Sequence, residues 1–421
     1  MARRPRWGGT ASRPDCGCGP RRETTAHRPR PARRPALRGR KGSTGRPSAW
    51  PSIMPSPAGP PTVEAWSRAG VRHHPFFMPA GSAPRILVSR TDRLGDLVLT
   101  LPAVLDLAAA FPSAHLAVLC RPENAALAAL CPGVAQTIAW RAEDGTGGLK
   151  GQLDGFDAAV VCYPKPPALA WRLYRAGIPL RVGTARRWWS FLFNEREPGG
   201  RTASGQHESE LNRALARRCI ARLGGPSEVC DRPARLELRL PESLKEKAAT
   251  RIAQAGLPER GFAVLHAGSR GSAKDWPLER MLELAAALRG QGHAVAWTVG
   301  PADQAVRARL AAQPGNRLLE NLPLDVLAAV LAQAGVVVAN STGPLHVAAA
   351  AGAPVVGLYP PVAACDPERW GPLGSQARSL TAPTTGAEPA RFANPRVAPT
   401  DLMERIAVDS VLGTIAEVAR W

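Results

Sequence analysis

Two short stretches of this chain gather the residue types that handle anions and protons. In Asn340-Ser341-Thr342-Gly343-Pro344-Leu345-His346, two hydroxyls, a glycine and an imidazole lie between the apolar run 336–339 and an alanine-rich segment closed by Gly352-Ala353-Pro354. That order reads as buried strand, polar loop and short helix, and a second buried strand follows at 355–359. Free backbone N–H groups and the helix dipole attract an anion at such a mouth, and a ligand diphosphate is the natural candidate. Ser341, Thr342, Gly343 and His346 are then candidate contacts, with a purely structural histidine as the alternative for His346. The second stretch is Arg90-Thr91-Asp92-Arg93-Leu94-Gly95-Asp96. Asp96 opens a helix, where the dipole favours its ionised form. A carboxylate on a cleft rim could take a proton from a sugar hydroxyl, whereas simple helix capping is the plainer reading.

A third loop, 266–277, carries Ser269, Lys274 and two glycines ahead of a helix that begins at Trp276-Pro277. It suits a phosphate contact, or is an ordinary strand-to-helix loop. Asp303 could accept from a ribose or cap a helix, and Leu322 could pack on a nucleobase or lie in the core. The Gly-x-Gly-x-x-Gly fingerprint of dinucleotide enzymes is absent. No Asp-x-Asp pair occurs, so neither a carboxylate-held Mg²⁺ nor a cofactor is expected. The charge of a leaving diphosphate would fall to Lys274, helix dipoles and hydroxyls.

The elements that must position these loops repeat one grammar. Residues 86–89, 116–119, 136–138 and 158–162 read as strands alternating with helices, the first helix running from Leu97 to Ala108 with Pro102 near its first turn or kinking it. The pattern restarts near Gly261 with strands at 262–266, 294–299, 336–339 and 355–359 and helices after Trp276, over 303–312 and over 324–334. This alternation predicts an α/β chain with two Rossmann-like domains facing across a cleft, ligands lying at the carboxyl ends of the strands. Residues 236–260 would carry the hinge. The final amphipathic stretch, Leu402 to Val418, needs an apolar surface on either half.

The net charge of +20 sits mostly in the first 80 residues, which hold 16 Lys/Arg against Asp15, Glu23 and Glu64. It is therefore poor evidence for a nucleic-acid-binding core, and no nucleic-acid partner is expected. That Arg/Pro-rich segment has no apolar periodicity and reads as a disordered extension or an over-long start, with Met54 and Met78 as alternative starts. The eight cysteines include no Cys-x-x-Cys pair and read as buried thiols of a cytosolic protein. No apolar run reaches the length of a membrane span, so any membrane contact is peripheral. Residues 165–201 interleave Arg172, Arg175, Arg181, Arg186 and Arg187 with Trp171, Trp188, Trp189, Phe191 and Phe193. Exposed, these suit an anionic glycolipid at a membrane surface; the alternatives are a solvated basic loop over core aromatics, or single-stranded nucleic acid.

Taken together, five marks resemble glycosyltransferase family 9, the lipopolysaccharide heptosyltransferases. They are Arg85-Ile86-Leu87-Val88-Ser89 with Leu94-Gly95-Asp96 and Thr100-Leu101-Pro102-Ala103; Gly177 to Gly183; His207-Glu208-Ser209-Glu210-Leu211-Asn212; Lys274-Asp275-Trp276-Pro277; and Ser341 to His346. The resemblance covers about residues 84–421. It implies a GT-B fold and inverting, metal-independent transfer of a heptose from ADP-heptose to a lipopolysaccharide inner-core acceptor at the cytoplasmic face of the inner membrane. Its catalytic aspartate falls on Asp96, in place of the capping role. Its donor contacts fall on Ser269, Lys274, Thr342, Gly343 and His346, with Asp303, Leu322 and Ser341 beside them. Acceptor contacts are expected at Arg93, Arg181, Arg186 and His207. The family usually has aspartate where this chain has Ser341. The implied organisation is a basic extension (1–83), an acceptor domain (84–240), a nucleotide-sugar domain (241–400) and a C-terminal crossover helix (401–421). A nucleotide-sugar epimerase on the same fold and a non-catalytic RNA- or membrane-binding protein are the competing readings.

Overall fold

The computed structural model describes residues 83–421 apart from 146, 164, 200–204 and 270–273. The basic extension expected over 1–83 thus lies almost wholly outside the described residues. Within them the chain forms two six-stranded sheets, every adjacent pair parallel. The first contains β1 (Arg85–Arg90), β2 (His115–Cys120), β3 (Val134–Ala139), β4 (Ala158–Val161), β5 (Leu180–Thr184) and β6 (Glu195–Glu197), in the order β3-β2-β1-β4-β5-β6. The second contains β7 (Phe262–His266), β8 (Val295–Val299), β9 (Arg317–Glu320), β10 (Ala334–Asn340), β11 (Val355–Tyr359) and β12 (Ala377–Thr381), in the order β12-β11-β10-β7-β8-β9. Read from the other edge, it has the connectivity of the first. Each is a doubly wound sheet whose strand order reverses beside its first strand, and ligands bind outside the carboxyl ends of strands at that reversal.

The central strands are apolar on both faces because helices cover both faces. Ile86, Leu87 and Val88 of β1 and Phe262, Val264 and Val337 of β7 and β10 are buried. Edge strands β6, β9 and β12, and β5 beside β6, mix Arg, Glu, Ser, Thr or Gly into short segments, which hides them from a pattern of apolar runs. β6 is held to helix Glu208–Arg222 by Arg218, which reaches Glu195 at 2.7 Å and Glu197 at 2.6 Å. The helix expected from Leu97 to Ala108 is two helices, Leu94–Val98 and Leu101–Ala110. Pro102 sits in the first turn of the second, where its missing N–H costs nothing. Asn212 donates to Leu99 O and Thr100 Oγ1 across the break.

Residues 233–241 pass between the lobes without regular structure. Helix Glu242–Gln254, expected to share in the hinge, instead buries Leu244, Ala248 and Ile252 in the C-terminal core. The terminal helix Val408–Val418 buries Val411, Ile415 and Val418 against that lobe too, packing on helix Leu278–Gly290 and strands β11 and β12. The crossover expected of it is not seen in these contacts: its apolar partner is the lobe it follows.

The lobes meet where helix Leu94–Val98 packs on helix Gly343–Ala350. Small residues make this approach possible. A Cβ on Gly95 would come within 2.9 Å of His346 Cδ2, and one on Gly343 within 2.9 Å of Leu94 Cβ. Gly343→Ala should therefore cost about 1–3 kcal/mol through overpacking. Urea denaturation should show a lowered midpoint, and an unchanged midpoint would mean that the two helices do not bear on each other.

Candidate active site

Arg90 ends β1 and is buried at the reversal point of the first sheet. A buried guanidinium needs acceptors on every N–H. Nε and Nη2 donate to the two oxygens of Asp92 at 2.7 and 3.0 Å, and Nη2 also donates to Asp96 at 2.6 Å. Nη1 donates to Glu208 at 2.9 Å and to Asn212 Oδ1 at 3.2 Å. One cation therefore serves three carboxylates. Burial raises the Asp96 carboxyl from 3.8 to about 6; Arg90 opposes the rise, and the charges of Asp92 and Glu208 add to it. Such a carboxyl ionises close to neutral pH, where a general base is most useful. The capping alternative does not hold: Asp96 lies inside helix Leu94–Val98, whose N-cap position is Arg93, and its carboxylate turns to Arg90.

Across from it opens a cavity of about 660 Å³ lined by both lobes. Asp96 and Arg93 line it from the N-terminal side, and Ser269, Asp303, Leu322, Ser341, Thr342, Gly343 and His346 from the C-terminal side. Ser269 is buried and its hydroxyl is bonded to Asp275. Asp303 does not cap its helix; its carboxylate accepts from Gly300 N–H at 2.9 Å and fills the space where Gly268 lacks a side chain. Leu322 is half-buried at the wall, packed on the core while lining the cavity. The Ser341 hydroxyl bonds the Tyr359 hydroxyl, which donates to Trp370 O at 2.9 Å. Thr342 is the N-cap residue of helix Gly343–Ala350, yet its side chain makes no capping bond.

His346 is buried against Gly95, and burial pushes its imidazole down to about 3. Burial thus favours the uncharged imidazole. Its Nδ1 is buried without a hydrogen-bond partner. Asn340 stitches the loops together behind the cavity, accepting from Trp276 N–H at 2.9 Å and donating to Ala267 O at 2.8 Å.

Lys274 does not line the cavity. Its ammonium donates to Ala398 O at 2.9 Å and Pro399 O at 2.5 Å, so the charge expected at a diphosphate holds a distant loop instead. Of the other expected acceptor contacts, Arg181 and His207 are likewise engaged elsewhere, and Arg186 lies at the surface. Arg181 donates to Leu192 O at 2.8 Å and to Ile178 O, with its guanidinium over the Tyr174 ring, tying β5 to the turn after it. Arg186 is exposed, and its Nε reaches Pro198 O at 3.4 Å. His207 caps helix Glu208–Arg222, its Nδ1 accepting from Ser209 N–H at 3.3 Å. Because a carbonyl only accepts, Nε2 must carry the proton it donates to Gly371 O of the other lobe at 3.0 Å. Burial lowers the His207 pKa.

Sequence reasoning missed Arg90, Glu208, Asn212 and Arg369 as functional candidates. Glu208 is buried between two arginines, with Arg90 on one oxygen and Arg369 Nη2 on the other at 3.1 Å. Glu208 and Asn212 stand four apart on one helix, a spacing that puts them on one face, and that polar pair was the available signal. Among the described residues no group of three or more His, Cys, Asp or Glu is arranged to hold a metal ion; the three carboxylates that converge do so around a guanidinium. Away from the cavity, Trp189 and Phe193 are core residues, whereas Trp171, Tyr174, Trp188 and Phe191 are exposed. The Trp171 ring meets those of Tyr174 and Phe191 edge-on.

The model of glycosyltransferase family 9 (heptosyltransferase) matches residues 169–397. The chain belongs to glycosyltransferase family 9. The match starts in the N-terminal lobe and spans nearly all of the C-terminal one, but it does not reach Asp96, which is located by the fold. A Haemophilus influenzae protein with a provisional glycosyltransferase name is 27% identical over 352 residues, covering 79% of this chain and 96% of that one. The solved Escherichia coli ADP-heptose LPS heptosyltransferase II is 25% identical with a TM-score of 0.65, over 79% of this chain and 98% of that one. A family 9 glycosyltransferase from Veillonella parvula superimposes with a TM-score of 0.68 at 19% identity, over 80% of this chain and 97% of that one, a likeness of fold. This family 9 chain thus has the two-lobed GT-B architecture and is a glycosyltransferase of the heptosyltransferase type.

The raised Asp96 carboxyl has a consequence for stability. Its contribution is fully present below the ordinary carboxyl value of 3.8 and is lost as pH rises through about 6, because the folded state then holds a proton that the unfolded chain has released. Asp96→Asn keeps an acceptor for Arg90 and removes the buried charge. The variant should be more stable than the parent at pH 8 by about 1–3 kcal/mol, with the gap closing towards pH 4. Urea titrations across this range check it, and a variant less stable at pH 8 contradicts the assignment.

Proposed function

We propose that this chain transfers a heptose from ADP-heptose to a sugar hydroxyl of a lipopolysaccharide inner-core acceptor, with inversion and without a metal ion. The observation that carries the reading is Asp96 on the rim of the inter-lobe cavity, facing the helix mouth of Ser341 to His346 in a family 9 chain. A solved relative's name couples ADP-heptose with lipopolysaccharide, and that supports the donor and acceptor class. Asp96 takes the proton of the acceptor hydroxyl, and the oxygen attacks the anomeric carbon in line as the diphosphate departs. The N–H groups opening helix Gly343–Ala350, with the hydroxyls of Ser341 and Thr342, meet the developing charge. His346 offers a neutral imidazole N–H to the same group. Lys274 is left out of this step because it is engaged with Ala398 and Pro399. Asp303 and Leu322 supply a ribose acceptor and an apolar wall for the base.

Acceptor binding falls to Arg93 at the cavity rim and to the basic surface around Arg175, Arg186 and Arg187. Trp171, Trp188 and Phe191 stand exposed beside those arginines, a pairing suited to an anionic glycolipid held at the cytoplasmic face of the inner membrane. Among the described residues no helix is long and apolar enough to cross a membrane, and a surface association is the form proposed.

A thermal-shift screen of ADP-, UDP-, GDP- and CMP-sugars tests the donor. The ADP-sugar alone should raise Tm. Asp96→Ala should keep that shift while transfer to a lipopolysaccharide acceptor drops by about 10²-fold or more. Stabilisation by no nucleotide sugar, or turnover surviving in Asp96→Ala, would sink the proposal.

A further inference from the structure

Glu208 lies at the start of helix Glu208–Arg222 with 1% of its side chain exposed. A carboxylate removed from water so fully is strongly destabilising unless both oxygens are met by charge or hydrogen bonds. One oxygen is met from its own lobe by Arg90 at 2.9 Å. The other is met from the opposite lobe by Arg369, whose Nη2 and Nε stand 3.1 and 3.4 Å away. Arg369 belongs to helix Pro367–Trp370, between β11 and β12, and stacks its guanidinium over the Trp370 ring at 4.6 Å. Two residues further on, Gly371 O accepts from His207, so the pairs His207/Glu208 and Arg369/Gly371 join the lobes at this point.

The sharing of charge gives the pairing its meaning. Among the described residues, the N-terminal lobe brings Asp92, Asp96 and Glu208 together on Arg90 in a largely buried site. Docking of the other lobe adds a second guanidinium, that of Arg369, to Glu208. Arg369 on one Glu208 oxygen weakens the hold of Glu208 on Arg90, and so strengthens that of Asp96. The remaining groups facing Asp96 do not substitute for Arg369. Tyr163 is neutral, with its hydroxyl pKa raised by burial, His346 is neutral, and Arg93 is exposed on the rim.

The geometry points to Glu208 and Arg369 as positioning residues for Asp96: contact between the lobes places Arg369 on Glu208, and Glu208 in turn sets Arg90 against the base, so that Asp96 is held for proton abstraction when the donor lobe is docked. This rests on Asp96 being the base. A base kept in its working arrangement only in the docked state would spare the donor from attack by water while the cleft is open.

The test uses the full chain with an ADP-heptose donor and a lipopolysaccharide acceptor, comparing the parent with Glu208→Gln, Arg369→Gln and Arg369→Lys. Asp96→Ala is run beside them, and if it still transfers sugar, the base assignment fails and the relay with it. With Asp96→Ala inactive, both glutamine variants should lose about tenfold or more in kcat with the donor KM little changed. The acid limb of the kcat profile should move in opposite directions. Glu208→Gln removes a neighbouring negative charge and shifts it to lower pH. Arg369→Gln removes a positive charge and shifts it to higher pH, each by roughly half a pH unit or more. Arg369→Lys, which keeps the charge, should return the limb towards that of the parent. Should Glu208→Gln fail to fold, Arg369→Gln still decides, since Arg369 is partly exposed. A simple tether between lobes would lower activity in both variants without moving the limb, and that outcome, or two shifts of the same sign, overturns the inference.

Discussion

One guanidinium organises this molecule. Arg90 is buried at the end of the first strand and can stay charged there only if carboxylates surround it, so Asp92, Asp96 and Glu208 converge on it from two elements of the N-terminal lobe. The convergence makes the three acids compete for the Arg90 charge. Glu208 is relieved by Arg369 from the opposite lobe. The need to neutralise a buried cluster therefore becomes a reason for the lobes to meet at this point, and Asp96 carries the cluster to the cavity with its carboxyl raised by burial.

The backbone makes that meeting possible. Two sheets of the same strand order turn their carboxyl ends towards a shared cavity, which brings the loops after β1, β7 and β10 together. Close approach of the short helix Leu94–Val98 to helix Gly343–Ala350 depends on Gly95 and Gly343, where any side chain would collide with His346 or Leu94. The imidazole trapped in this contact is stripped of water and stays neutral. Asn340, bonded to Trp276 N–H and Ala267 O, holds the loops of β7 and β10 in register behind it. Packing, charge and cavity are thus set by a small group of residues close to the two reversal points.

The central strands were legible from apolar runs because they are buried on both faces, and the site loops from small polar residues at strand ends. Edge strands β6, β9 and β12 were not, since half-exposed polar strands carry no such signal, and neither was β5, where Arg181, Gly183 and Thr184 interrupt the apolar run. The loop positions of Asp96, Ser269, Asp303 and Ser341 to His346 were readable because strand order fixes where a loop must lie. What the side chains do there was not. Lys274 sits in the right loop, yet its long chain turns to two carbonyls over a hundred residues away in sequence. Arg181 and His207 fall in recognisable stretches and are consumed by backbone partners that only the tertiary fold supplies. Glu208 and Arg369 are separated by 161 positions, and no local pattern announces an ion pair across that distance. The terminal helix was recognisable as amphipathic, but an apolar stripe does not say which lobe it covers.

The central claim is that Asp96 works as a base whose ionisation is set by burial against the shared charge of Arg90. The most direct measurement is the pH dependence of kcat for sugar transfer by the unaltered chain, at saturating donor and acceptor. The account predicts an acid limb with an apparent pKa near about 6. A rate that stays flat from pH 8 down to the ordinary carboxyl range would contradict it.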